Sequence, residues 1–398
     1  MNSGTVYSLL SLLLVVLLAL RQGPAALVCA LLLLTAAMAQ LWNRWAHVRL
    51  SCSRVLSASH AFPGDQIDLT VRIVNRKPLP LVGVVIRFGI PADLEASGSG
   101  VSRDGRGRQQ IRRIANLGPY EALTWHYRLH CRRRGAFRIG AGTIDAGDPF
   151  GFYRSGVELP PGARLIVYPL ALPLEELTLA ARSPLGQRRA RQLITDPMRT
   201  IGVRDYHPDD PLKDVHWAAT ARVGTLQTRI YETTTARELA IFLDLDTFTR
   251  YWEGLDLAQF ERIIAAAATL TGRAIEAGDS VGLYANGAPA EHAQAATVPP
   301  GRSPAQHMRI LETLAQLTPH SIMPIARLLR LSAAALPWGA TILLVSVVAT
   351  DATRAAVLRL RERGRSVVWL YLGEDAPPTI PGVVVHYAPP AQDWRANR

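Results

Sequence analysis

The chain has 398 residues, more than one ordinary domain needs, so two folded domains and an accessory segment are expected, each domain large enough to bury a core. Lys and Arg exceed Asp and Glu by 12, which suits anionic lipid, nucleic acid or an acidic partner without choosing among them. Three cysteines, Cys29, Cys52 and Cys131, are too few and too scattered for a disulfide framework or a zinc site.

Val6 to Leu20 carries no charge, Arg21-Gln22-Gly23-Pro24 interrupts, and Ala25 to Trp42 is apolar again. Each stretch with its flanks is about 18–20 residues, near the length that crosses a bilayer core as a helix. A transmembrane helical hairpin over 1–46 is therefore expected. Arg44, Arg49 and Arg54 follow the second stretch while Arg21 alone sits in the turn, so the positive-inside rule puts the rest of the chain on the cytoplasmic side of an inner (cytoplasmic) membrane. The competing reading is a cleaved signal peptide, for which Ala37-Met38-Ala39 supplies small residues.

From 47 to 170 the pattern has period two. Ile67, Leu69, Val71 and Ile73 alternate with Asp68, Thr70 and Arg72, as in a half-buried strand between turn residues Pro63-Gly64-Asp65 and Asn75-Arg76-Lys77-Pro78. Further strands are expected at Val82–Phe88, Leu123–Leu129, Phe137–Ile139 and Leu165–Tyr168, which together suggest an immunoglobulin-like β-sandwich. Ser97–Arg108, rich in glycine and charge, reads as a mobile hairpin loop.

Residues 171–236 form a basic linker and a dense polar segment. Arg182, Arg188, Arg189, Arg191 and Arg199 have no aromatic residues interleaved for base stacking, so a solvated or membrane-facing linker is expected, not a nucleic-acid site. From 237 to 398 apolar strands alternate with amphipathic helices. The strands are Glu238–Leu245, Ser280–Tyr284, Thr341–Val348, Ser366–Leu372 and Val383–Tyr387. The helices run from about Leu257 to Thr271 and over Pro304–Leu317, Pro324–Leu336 and Ala352–Arg363, with Asn286-Gly287 read as a turn. That order implies α/β architecture with a parallel, doubly wound sheet, whose ligands sit at the carboxyl ends of the strands; those ends carry Asp244, Asp246 and Asp351.

Two stretches resemble a known family. Cys131–Arg154, with Asp148-Pro149-Phe150-Gly151, and Val203–Glu232, with Arg204, Tyr206, Pro208, Asp210, His216, Trp217, Ala221, Arg222 and Glu232, are similar to the bacterial membrane proteins of domain-of-unknown-function family 58. The resemblance implies a membrane hairpin, a sandwich and a von Willebrand factor A-like domain over 237–398. It also implies a non-enzymatic adaptor or scaffold whose partner is a MoxR-type AAA+ ATPase. Two departures stand out. Pro208-Asp209-Asp210 replaces Pro-Gly-Asp, and the Asp-x-Ser-x-Ser cation motif reads Asp244-Leu245-Asp246-Thr247-Phe248, in which Phe248 offers no oxygen to a hard cation. No cofactor is expected, although Asp244, Asp246 and Asp351 remain a degenerate all-carboxylate candidate for a divalent ion.

The segment RDYHPDDPLKDVHWAATAR, 204–222, is dense enough in His207, Asp209, Asp210, Asp214 and His216 to suggest a metal-dependent hydrolase or other envelope enzyme. Its spacing opposes that: there is no His-x-x-x-His pair, and Pro208 and Pro211 interrupt any helix. A structural clamp at the domain junction accounts for more of it, with Trp217 and Tyr206 as packed anchors and Arg204, Asp210, His216 and Arg222 paired around them; a partner-docking surface is the main alternative.

Overall fold

The computed structural model describes residues 3–103, 105, 108–160, 162–172, 194–208, 210–234, 238–249, 254–290, 293–337 and 339–390. The chain divides into two compact units, Met1–Tyr168 and Pro169–Arg398.

The first unit opens with an antiparallel pair of helices, α1 (Ser3–Ala19) and α2 (Gly23–Ala46). Arg21, at a φ of +54°, makes the turn, and the Cys29 thiol donates to the Leu10 carbonyl at 3.3 Å across the pair. α2 is long and apolar enough to cross a membrane; the described part of α1, Ser8–Ala19, is shorter than that.

Two antiparallel sheets follow. One has the order Leu50–Leu56, Gln66–Asn75, Ala122–Cys131, Leu94–Ser97; the other runs Arg154–Leu159, Gly142–Gly147, Leu81–Ile90, Gln109–Leu117, Val101–Arg103. Alternation decides which side chains go inside. Ile67, Leu69, Val71 and Ile73 turn inward from the first sheet and meet Ile86, Phe88 and Ile111 from the second in one core, each worth roughly 1.5–3 kcal/mol in burial. A third small sheet joins His60–Ala61, Arg164–Val167 and Gly135–Arg138. The segment expected as a mobile loop is partly strand, because Val101–Arg103 pairs with Gln109–Ile111; Gly98 and Gly100, both at positive φ, lead the chain into it from Leu94–Ser97.

In the second unit, strands Ile194–Asp205 and Gln227–Thr234 form an antiparallel hairpin that carries the short helix α3 (Trp217–Val223) between them. The basic residues Arg182, Arg188, Arg189 and Arg191 lie outside the described residues, as does the side chain of Arg199. Beyond the hairpin is a six-stranded sheet of order Thr297–Gly301, Ser280–Ala285, Glu238–Leu243, Thr341–Ser346, Ser366–Tyr371, Val384–Tyr387, parallel except for its first edge strand. The central strands are buried on both faces, as continuous apolar runs require. α6 (Ile325–Ser332) and α7 (Asp351–Glu362) cover the face presenting Phe242, Leu344 and Trp369, while α4 (Leu257–Glu276) and α5 (Pro304–Gln316) also lie against the sheet.

Buried arginines lock these layers. Arg262 of α4 donates to the carbonyls of Leu372, Ala388 and Pro389, each at 2.7 Å, and Arg365 closes the end of α6 through the carbonyls of Ala333, Leu336 and Pro337. α6 is shorter than the expected Pro324–Leu336, ending at Ser332. The Asn286-Gly287 turn is instead the start of a strand, Gly287–Pro289, paired with Leu317–Ser321.

Candidate functional site

The six-stranded sheet defines one location by its order. After Glu238–Leu243 the chain moves outward to Ser280–Ala285 and Thr297–Gly301, then returns to the opposite side of the first strand at Thr341–Ser346. Neighbouring loops diverge where the order reverses, and a crevice opens at the carboxyl ends of those two strands. A cleft of about 330 Å³ lies there, lined among others by Thr247, Phe248, Val347, Arg354, Tyr371 and Asp375.

At the end of the first strand Asp244 is 2% exposed. The Asn286 amide donates to its Oδ1 at 2.8 Å and to Asp246 Oδ2 at 3.4 Å, while Asn286 Oδ1 accepts the Leu245 N–H at 2.8 Å. The Ser321 hydroxyl donates to Asp246 Oδ1, and the two carboxyl groups are themselves hydrogen-bonded. Burial, then the neighbouring Asp246 charge, pushes the Asp244 carboxyl well above the usual carboxylate range. Burial and the adjoining Asp246 carboxyl thus both favour the protonated form of Asp244. Asn286, Ser321 and the two aspartates form one small polar network roofing the strand ends.

Asp351 is not part of it. Its side chain is fully exposed in the first turn of α7, with Arg354 Nη1 at 3.8 Å, and among the described residues no three His, Cys, Asp or Glu side chains gather into a cluster that could hold an ion. The expected triad Asp244, Asp246 and Asp351 therefore does not assemble: Thr350 caps α7 through the Thr353 N–H, and Asp351 follows it outward. Phe248, in the place of a ligating hydroxyl, lines the cleft. Sequence reading missed Asn286 and Ser321. The available signal was an asparagine directly after an entirely buried strand, beside the strand that ends in Asp244.

The segment 202–234 is organised differently. Arg204 Nη2 donates to Asp210 Oδ1 at 2.6 Å and the His207 N–H donates to Asp210 Oδ2 at 2.9 Å, so the Arg204 guanidinium holds the Asp210 carboxyl below its usual range. His216 caps α3, its Nδ1 accepting the Ala219 N–H at 3.1 Å, and its own N–H donates to the Gln227 carbonyl at 2.7 Å. Gly224, at a φ of +78°, ends the helix. The backbone N–H of buried Gln227 donates to the Thr220 hydroxyl oxygen at 3.0 Å, and its side-chain amide donates to Asp205 Oδ1 at 2.5 Å. Tyr206 is half-buried and its N–H bonds the Leu226 carbonyl, Pro208 is exposed, and Glu232 lies on the second strand with its side chain outside the described residues.

Among the described residues His207, Asp210, Asp214 and His216 form no group that could hold an ion, since Asp210 braces the turn and His216 caps the helix; Asp209 lies outside the described residues. One expectation needs correction. Trp217 is not a packed anchor. It is 67% exposed at the first position of a seven-residue helix that buries none of its residues, and Leu212, Val223 and Arg222 are also exposed. Among the described side chains of this segment only Val215, Gln227 and Thr228 are buried, so a few backbone and polar contacts carry it.

Both places fall within one recognised stretch. Residues 202–368 match the family model described as Protein of unknown function DUF58. That stretch is thus similar to the DUF58 family. An uncharacterized protein, YeaD, from Bacillus subtilis (strain 168) is 23% identical over 245 residues, covering 59% of this chain and 55% of that protein. The chain thus matches a little over half the length of that relative. Among solved structures, the seventh ScaB type I cohesin from Pseudobacteroides cellulosolvens is 10% identical, covers 30% of this chain and 94% of its own, and has a TM-score of 0.22. CaCohA2 from Clostridium acetobutylicum has 10% identity, coverage of 29% and 90%, and a TM-score of 0.20. The DUF58 stretch contains Trp217, the Asp244 network and the strands that flank the cleft.

Proposed function

We propose that this chain is a membrane-anchored, non-enzymatic adaptor that docks a partner protein through the exposed face of its DUF58 domain. The observation that carries the reading is the inverted polarity of 202–234: Leu212, Trp217 and Val223 face solvent while the residues that shape the segment are polar and hydrogen-bonded. An exposed Trp on a braced frame is the kind of aromatic anchor that concentrates binding energy at interfaces. In this reading the six-stranded unit is von Willebrand factor A-like and the first unit immunoglobulin-like. α1 and α2 form two spans with the folded units on the cytoplasmic side, and the partner is a MoxR-type AAA+ ATPase. Arg44 in the last turn of α2, with Arg49 and Arg54 beyond it, supports the orientation.

The test is capture of that ATPase from native membranes by the full-length chain in detergent, with and without ATP, alongside Trp217→Asp and Leu212→Asp. Enrichment of the ATPase with the parent chain, lost in both variants and retained in EDTA, is expected. No enrichment, or equal enrichment with both variants, overturns the docking reading. Stoichiometric metal lost on His207→Ala and His216→Ala would instead favour the metal-dependent hydrolase.

A further inference from the structure

The turn Asp148-Pro149-Phe150-Gly151 has no part in the reading above, and the strand registers show where it lies. Leu81–Ile90 pairs with Gln109–Leu117 so that Leu81 faces Leu117, and with Gly142–Gly147 so that Phe88 faces Gly142 and Val85 faces Asp145. Gly147 and the turn after it are thus at the Leu81 end of the sheet. The same end holds α2. The Lys77 ammonium, four residues before Leu81, donates to the carbonyls of Ala46 and Val48, and the Ser155 hydroxyl bonds Asn43 Oδ1 at 3.0 Å and His47 Nε2 at 2.9 Å. Phe152 is three residues before Ser155, which at about 3.3 Å per residue puts it within roughly 10 Å of the residue that bonds the last turn of α2.

This end of the unit is aromatic and exposed. Phe150 and Phe152 are 53% and 60% exposed and stack with ring centroids 6.1 Å apart, and Tyr120, in the neighbouring reversal, is also exposed. Solvent-facing phenylalanines on a disordered loop would mean little, but this turn is rigid. The buried Asp148 carboxylate accepts the N–H groups of Phe150, Phe152 and Tyr153, and Gly151 turns the chain at a φ of +79°. Arg44, Arg49, Arg76 and Arg154 are exposed at the same end, with Trp45 on the last turn of α2. Apolar rings ringed by arginines, level with the first polar residues after an apolar helix, match the chemistry of an anionic bilayer surface.

We infer that the Phe150–Phe152 turn, with Tyr120, inserts into the headgroup region of the membrane that α2 crosses, a second contact that holds the first unit against the bilayer. The inference rests on α2 being a membrane span. The test places the photo-crosslinker p-benzoylphenylalanine at Phe152, Tyr120, Leu32 or Ser102 of the full chain in vesicles of phosphatidylethanolamine and phosphatidylglycerol, and reads lipid adducts by intact mass. Leu32 reports α2, and Ser102 lies at the opposite end of the sheet, where Gln109 faces Ile90. Adducts at Leu32, Phe152 and Tyr120, several-fold above Ser102, are expected. An adduct at Leu32 without one at Phe152, or with Phe152 crosslinked only to protein, overturns the second contact alone. No lipid adduct at Leu32 removes the span and the inference with it.

Discussion

Asp244 and Trp217 lie in one domain and invert the usual sorting of residues in opposite senses: the first is an acid under the surface, the second a large apolar ring above it. Burial of Asp244 is tolerable because Asn286 and the Leu245 and Asp246 backbone N–H groups satisfy the network, and its raised pKa favours the uncharged form. Exposure of Trp217 gains nothing from the fold around it, since α3 buries no side chain. The contrast separates two kinds of constraint. The strand-end network is maintained by the interior, and the hairpin surface, in the proposed reading, by a docking partner.

The largest effect should come from Asn286, which is fully buried and serves both aspartates and the Leu245 N–H. Asn286→Ala strands those groups away from water, at about 1–3 kcal/mol for each one left unsatisfied. A fall of that order in unfolding stability of the full chain in detergent is the expected result. An unchanged thermal midpoint would show that the network contributes little and would erase the contrast with Trp217.

Asp244→Asn sharpens the same point through pH. The folded carboxyl titrates above its unfolded counterpart, so its contribution to stability is complete below the unfolded pKa and is lost as pH rises through the raised folded value. In the parent chain stability should decline there by up to about 1.4 kcal/mol per pH unit for this one proton. The amide variant should show a flatter profile over that window. Equal slopes would mean that Asp244 is ionised in the folded chain, and would reopen cation binding at the strand ends.

Much of this contrast was legible in the sequence, and the failures have physical causes. Period-two alternation around Leu69 and Val71 and the apolar runs of the parallel sheet correspond to observed strands because hydrophobic spacing reports burial directly. Asp244 was visible as a strand-end acid, but its burial and its dependence on Asn286 involve a contact across 42 residues, which spacing does not carry. Asp351, equally a strand-end acid on paper, belongs to a helix start and points to water. Trp217 was misread for a simpler reason: aromatic residues among paired charges suggest a packed anchor, and only the shortness of α3 reveals that nothing covers it.

Asp210 offers a smaller effect on the hairpin side. Its folded pKa is lowered, first by the hydrogen bond from Arg204, so its contribution is present above the unfolded carboxylate pKa and fades as pH falls through the folded value. Asp210→Asn should remove that acid-side component and loosen the turn at His207, seen as faster amide exchange of the His207 N–H. The pair is exposed, so added salt should weaken it in the parent chain. No change in exchange would mean that the turn is held by its prolines alone.

Trp217→Ala should change stability least of all and binding most. Removing a packed tryptophan costs about 3–5 kcal/mol, whereas substitutions on an open surface usually fall within about 0.5 kcal/mol. With two-thirds of the ring in solvent and no buried residue on α3, the second range applies. His216 still caps the helix and Gly224 still ends it, so the backbone that presents position 217 is expected to persist, which circular dichroism of the full chain checks. An unchanged thermal midpoint together with lost capture of the ATPase would separate presentation from folding. A drop of several kcal/mol would place the ring in a packed clamp after all, and the exposed face of 202–234 would then lose its claim to be a docking surface.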